Sequence, residues 1–282
     1  MDINTITYPS KISGLTSREY HSSKAWSKSG LDKVHKSPAH FFTEKSEESA
    51  ALTFGRALHC AILEPDKFNS AYTLAPKVDK RTNAGKTEWA AFELDCSIKG
   101  KEIISFDDMM TIRAMYDSIM SHPLARNIFK DGESELSFFW KDHLTGLQCR
   151  CRPDYYRRDG ILVDLKTTAS AAPHEFARSF ANYRYHVQAA FYTDGVFNVS
   201  DFSTFEAPTD FLLVAVEKEP PYGLRVYRVD DRAMEFGRAA YKADLQTILE
   251  FDGKPDRIEY FKTIGYTDSI EISELSLPSW AE

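Results

Sequence analysis

The alternation of apolar and polar residues is sharpest in the middle of the chain. Leu147, Cys149 and Cys151 occupy one phase of a period-two pattern, and Gln148, Arg150 and Arg152 the other, which predicts a half-buried β-strand. Arg157-Arg158-Asp159-Gly160 supplies turn chemistry, and Ile161-Leu162-Val163 is the apolar run of a buried strand. Together they predict a hairpin with Asp154 and Asp164 at its two ends. Two-residue spacing puts Asp164 and Lys166 on one face of its second strand. Another strand is predicted over residues 135–140, with a turn at 142–146, so three consecutive antiparallel strands would gather Glu135, Asp154 and Asp164.

Before residue 130 the helical period dominates. Residues 27–42 predict a short helix with Leu31, Val34 and His35 on one face, where Ser37-Pro38 either breaks it or begins a second turn. Residues 50–63 carry the stripe Leu52, Leu58, Ile62, Leu63 and stop at Pro65, and Gly55 and His59 fall four apart on one helical face. Glycine in mid-helix costs roughly 0.5–1 kcal/mol relative to alanine, which hints at a close approach to the backbone. Residues 87–98 predict a helix. The next is capped by Asp107 or Asp108 and carries Met109, Ile112, Met115, Tyr116, Ile119 and Met120 up to Pro123. Residues 1–25 read as an irregular arm, 44–48 as a charged loop and 77–86 as a polar loop.

Beyond the hairpin, helices are predicted near 173–180 and over 185–197, the second with Gln188 and Tyr192 at i and i+4. Strands follow at 210–216 and 224–229, then a long amphipathic helix over 231–251 with an acidic cap, then a mixed tail extended near 270–272. With no repeat and no clear linker, the pattern predicts one domain over 1–282. Residues 1–130 are mainly helical, and residues 131–282 supply a sheet core and C-terminal helices. The fold class is α/β, a mixed central sheet flanked by helices.

Composition narrows the function. The chain has 282 residues, is 43% hydrophobic and carries a formal net charge of -7, which argues against coating nucleic acid with a basic surface. It leaves room for a local basic groove. Arg150 and Arg152 crowd the hairpin, and Arg81 and Lys86 belong to a second basic cluster; both sets also fit solvated loop charge. No stretch approaches a membrane span and the N-terminus has no signal-peptide pattern, so the expected compartment is the cytoplasm. Cys60, Cys96, Cys149 and Cys151 are too few and too scattered for a disulfide framework or a CxxC site.

An ionised Asp and a Lys at the end of an apolar strand are costly to desolvate unless paired or bound to a cation. At ~4 Å and an effective dielectric near 20, two like charges repel by roughly 4 kcal/mol. Asp154 and Asp164 together therefore call for a counter-ion, and oxygen ligands suit Mg2+. An ion pair of Asp164 with Lys166 accounts for the same residues.

Pro153-Asp154, nine intervening residues and Asp164-Leu165-Lys166 resemble the PD-(D/E)XK nuclease superfamily. Gly55-Arg56-Ala57-Leu58-His59 and Gln188-Ala189-Ala190-Phe191-Tyr192 resemble the upstream G-x-x-x-H and downstream Q-x-x-x-Y motifs of its RecB-like branch. Residues 81–86, 149–154, 183–188 and 275–281 are similar to the nuclease domain of the RecE family of exonucleases, over nearly the whole chain from Tyr20 on. The resemblance implies a restriction-endonuclease-like core with Asp154, Asp164, the Leu165 carbonyl and His59 as metal ligands. Lys166 is implied to act on the attacking water, with a lowered pKa, and Glu135 to hold a second ion or a metal-bound water. Gln188 and Tyr192 are implied as supporting contacts, and Arg150 and Arg152 as phosphate clamps or partners of the acids. It further implies Mg2+ with Mn2+ as substitute, 5' to 3' degradation of linear double-stranded DNA, a RecT-like annealing partner and a homo-oligomeric, tetrameric ring. Cas4-like or helicase-coupled RecB-type nucleases and a non-catalytic DNA-end-binding module are the alternatives; the four cysteines do not match a Cas4 iron-sulfur set.

Overall fold

A computed structural model describes residues 3–43, 50–199, 206–266 and 272. The chain begins with a 3-10 turn (Ile3–Thr5), strand β1 (Ser10–Ile12) and helices α1 (Ser17–Ser22), α2 (Lys28–Lys36), α3 (Pro38–Thr43), α4 (Ala50–Leu63) and α5 (Pro65–Ala71). Then come β2 (Tyr72–Leu74), α6 (Asn83–Lys99), β3 (Glu102–Ile104), α7 (Phe106–Ser121) and α8 (Ala125–Ile128). The strands β4 (Gly132–Ser134), β5 (Ser137–Lys141), β6 (Gln148–Cys151), β7 (Tyr155–Arg157) and β8 (Ile161–Thr168) precede α9 (Pro173–Asn182) and α10 (Tyr185–Val199). Strands β9 (Asp210–Glu217) and β10 (Leu224–Arg228) and helices α11 (Asp231–Phe251) and α12 (Pro255–Ile264) follow.

The main sheet has the order β10-β9-β8-β7-β4, with β8 and β9 parallel and the other pairs antiparallel. A three-stranded sheet, β1-β5-β6, is antiparallel, and β2 pairs with β3. Being central, β8 is buried on both faces. Leu162 packs with Phe211 and Leu213 against the layer that contains α10 and α11, whereas Val163 and Leu165 pack with Val214 and Val216 against the layer of α4 and α7. Alternation then turns Asp164 and Lys166 toward the α10 side.

The predicted hairpin is longer and more bent than its pattern suggested. Strand β4 pairs with β7 and β5 pairs with β6 in one continuous register, which sets Glu135 opposite Asp154. One antiparallel ribbon therefore runs through both sheets and bends where it passes between them. Pro153 has no N–H to offer the ladder, and Glu135 takes a left-handed backbone (φ 55°), so the bend falls at these residues. The arm that pairs with β8 is accordingly Tyr155–Arg157, not the alternating run that starts at Leu147.

The described part of the expected arm, residues 3–25, is more regular than its aperiodic sequence suggested. Strand β1 adds to β5, a Thr16/Glu19 capping box starts α1, and Ile6, Leu15 and Tyr20 bury Phe139. Helix α6 begins at Asn83, inside the expected loop, because Thr82 caps it. Ser105 and Asp230 are the caps of α7 and α11, with the expected aspartates one to three residues inside. The charged loop at 44–48, residues 270 and 271 of the extended tail and the motif at 275–281 lie outside the described residues.

Candidate active site

Four elements converge on one side of the ribbon bend. Helix α4 is fastened to the sheet by Phe54, Ala57, Leu58 and Ile62, which leaves His59 on the adjoining strip of the helix, above the bend. Its Nδ1 lies 3.4 Å from Asp154 Oδ2. Ligand atoms of His59, Glu135 and Asp154 all fall within 4.8 Å of one another, and the Glu135 N–H donates to the Asp154 carbonyl at 3.1 Å. The Leu165 N–H donates to Asp154 Oδ2 at 2.6 Å. N–H and C=O of one strand residue point the same way, so the Leu165 carbonyl is directed to the same edge. Continuing the β7–β8 register by one residue sets Asp154 opposite Asp164.

Behind this group, Lys166 Nζ stands 2.6 Å from Asp164 Oδ2 and donates to Gln188 Oε1 at 2.9 Å. Gln188 Nε2 donates in turn to Asp164 Oδ1. Gln188 thus bridges the carboxylate and the ammonium, from the helix face it shares with Tyr192. Asp164 Oδ2 is buried, and the Lys166 ammonium is the charged group beside it.

The electrostatics follow from crowding acids in a low-dielectric site. Burial, reinforced by Asp154, lifts the Glu135 carboxyl to about 7, as expected for like charges opposite each other on a ribbon. Burial and Asp154 also raise Asp164. Burial pushes Asp154 up, yet His59, Lys166 and the Leu165 N–H together hold it below the usual carboxylate range. His59 is depressed by burial but carried to about 9 by Asp154. Lys166 was expected to fall; burial does press it down, but Asp164 and Asp154 outweigh that and raise it. With these carboxylates ionised, Lys166 is a proton donor.

An imidazole and two carboxylates at mutual reach, with Asp164 at the facing strand position, make a donor set that fits a divalent cation. Room exists beside it: among the described residues, nothing outside the helix's own backbone lies within 4 Å of where a Gly55 Cβ would be, and a cleft of about 600 Å³ opens there, with His59, Glu135, Arg152 and Tyr192 in its walls.

Residues 27–262 match the family described as "PDDEXK-like domain of unknown function (DUF3799)". The chain belongs to this PDDEXK-like family. Its architecture recurs in a crystal structure described as "Putative exonuclease" from Eubacterium rectale, with 16% identity, 89% of this chain and 87% of that chain covered, and a TM-score of 0.57. The crystal structure of SSO0001 aligns at 12% identity over 82% of this chain and 86% of that one, with a TM-score of 0.28, too loose to carry a shared architecture. No curated protein matches the chain.

Within the PDDEXK-like core, the arginines expected at phosphates are spoken for. Arg150 is buried, lies over the Tyr20 ring and donates to the Tyr20 carbonyl, so it is shut away from any phosphate in the cleft. Arg152 donates to Ser137 Oγ (2.8 Å) and the Leu15 carbonyl (3.2 Å), with Glu135 at 3.7 Å; of the two expected roles, pairing with the acids is the one it occupies. Arg81 and Lys86 stand exposed at the start of α6, and none of the bonds that assemble the acidic group involves them. Sequence reading missed Tyr185, whose ring faces Lys166 Nζ at 4.4 Å, although three-residue spacing to Gln188 puts both on one helical face. It missed Tyr20 because the arm was read as irregular, where Thr16-x-x-Glu19 is a helix-start signal.

Proposed function

We propose that the chain is a divalent-metal-dependent exodeoxyribonuclease of the RecE type. In this reading it degrades the 5' strand of linear double-stranded DNA from 5' to 3' and leaves 3' single-stranded tails. The observation that carries it is the meeting of His59, Glu135 and Asp154 within 4.8 Å, next to the Asp164, Lys166 and Gln188 chain, in a chain of the PDDEXK-like family.

His59, Glu135, Asp154 and Asp164, with the Leu165 carbonyl, would hold Mg2+ or Mn2+, which when bound lowers the pKa of a bound water and offsets charge on the phosphate. Lys166, as an ammonium, donates to the water or to the developing phosphate oxyanion. Gln188 keeps Lys166 and Asp164 in one geometry, and Tyr192 closes the cleft wall beside them. The product tails suit a RecT-like single-strand annealing protein as partner, and a tetrameric ring around the duplex would keep the enzyme on its track.

The test is digestion of blunt linear duplex labelled at either the 5' or the 3' end, with covalently closed circles alongside. The expected result is early release of the 5' label with Mg2+, intact circles and silence with chelator. Cutting of circles would replace the exonuclease reading with an endonuclease, and no hydrolysis with Mg2+ or Mn2+ would leave a DNA-end-binding module.

A further inference from the structure

The turn between α9 and α10 is pinned more firmly than its exposed position requires. Arg184 takes a left-handed backbone (φ 53°), a conformation that costs a non-glycine residue free energy and persists where the surroundings impose it. Its guanidinium divides between Asp32 (2.9 Å) and Asp244 (2.6 Å), and Lys28 donates to the Tyr183 carbonyl at 2.7 Å. Four charged side chains thus fix the backbone at Tyr183, whose side chain leaves the residue 62% exposed. That ring stacks on Tyr185, with centroids 5.7 Å apart and planes at 27°, and Tyr185 in turn faces the Lys166 ammonium at 4.4 Å. A groove of about 500 Å³ lies along this side, with four cations, Lys28, Lys36, Lys166 and Arg184, and one carboxylate, Asp32, in its walls.

We propose that Tyr183 and Tyr185 form a stacking platform for the nucleobase adjoining the phosphate under attack, so that the strand end enters the site unpaired and is held without regard to sequence. This rests on the nuclease reading above. A cationic groove with aromatic rings along it holds single strands in this way, because every base has a π-face and every nucleotide a phosphate. A base inside a duplex already has both faces stacked and cannot offer one to Tyr183. The pinned turn prepays the ordering that a mobile loop would lose on binding.

The probe is a duplex with a short single-stranded 5' overhang carrying 2-aminopurine at its terminal position, bound in Ca2+ and followed by fluorescence; cleavage is measured in Mg2+ on the same overhang with a normal or an abasic terminal nucleotide. Wild type should quench the probe, Tyr183→Ala should not, and Tyr183→Trp should restore quenching. Tyr183→Ala should lower kcat/KM about tenfold on the normal end and leave the abasic end unchanged. Quenching that survives in Tyr183→Ala, or an equal loss on both ends, overturns the platform. If wild type hydrolyses neither end with Mg2+ or Mn2+, the nuclease reading falls while the fluorescence arm still decides the platform; if it binds no DNA, both fall.

Discussion

His59 Nδ1 stands 3.4 Å from Asp154 Oδ2, and each side chain favours the charged form of the other. This pair sets the sign of a pH effect. With His59 raised to about 9, its contribution to the metal-free fold is complete below the ordinary histidine value and is lost as pH rises through about 9. Glu135, raised to about 7, acts in the same direction: its contribution is complete below the ordinary carboxylate value and is lost as pH rises through about 7. A divalent ion binds the deprotonated groups instead. Chelated protein should therefore show a falling Tm between about pH 6 and pH 9, and the rise in Tm on adding Mn2+ should grow over the same range. A Mn2+ shift that ignores pH would separate these groups from the ion.

Asp164→Asn keeps an acceptor for Gln188 while removing the charge that meets Lys166 and opposes Asp154. The variant should fold, by circular dichroism, and lose at least about a hundredfold in kcat on linear duplex. The Mn2+-induced rise in Tm should shrink with it. Turnover near the wild-type value would remove Asp164 from the reacting group.

Gln188→Leu removes the bridge between Asp164 and Lys166 at similar volume. A buried acceptor then loses its partner, which costs about 1–3 kcal/mol in a urea melt. Because Lys166 is no longer held, kcat should fall by about tenfold or more with KM little changed. Wild-type kcat in a destabilised protein would mean that the bridge serves the fold alone.

Arg150→Ala discriminates a structural arginine from a phosphate clamp. Its guanidinium lies 4.7 Å from the Tyr20 ring centroid, so truncation should lower stability by about 1–3 kcal/mol, through lost packing and the Tyr20 carbonyl's lost donor. The KM for DNA and its salt dependence should stay at wild-type values. A KM rise that steepens with salt, without a loss of stability, would reverse the assignment.

Wherever side-chain period and burial agree, the elements were legible in the sequence. Leu58, Ile62 and Leu63 of the α4 stripe, the buried run of β8 and the spacing of Gln188 and Tyr192 each follow from one face packing on the sheet, whereas Leu52 of that stripe stands exposed. What escaped was set by long-range pairing. Nothing local in residues 10–12 announces that they will join β5, and alternation over 147–152 cannot show that the ribbon passes from one sheet to another at Pro153. For the site, proximity of Asp164 and Lys166 was readable from period two, but the direction of the Lys166 shift was not. It depends on how two carboxylates compare with desolvation, which only their placement decides.

The bend in the ribbon has a consequence for integrity. Glu135 and Asp154 occupy facing positions on the crease between the two sheets, and the β7–β8 register sets Asp164 against the same crease. A small shear of one sheet past the other would displace several of the proposed ligand donors together, so that in this reading cation affinity gauges tertiary alignment. If the proposed ion is held there, mutations in the neighbouring Phe139 cluster should shrink the Mn2+-induced rise in Tm before they unfold the protein.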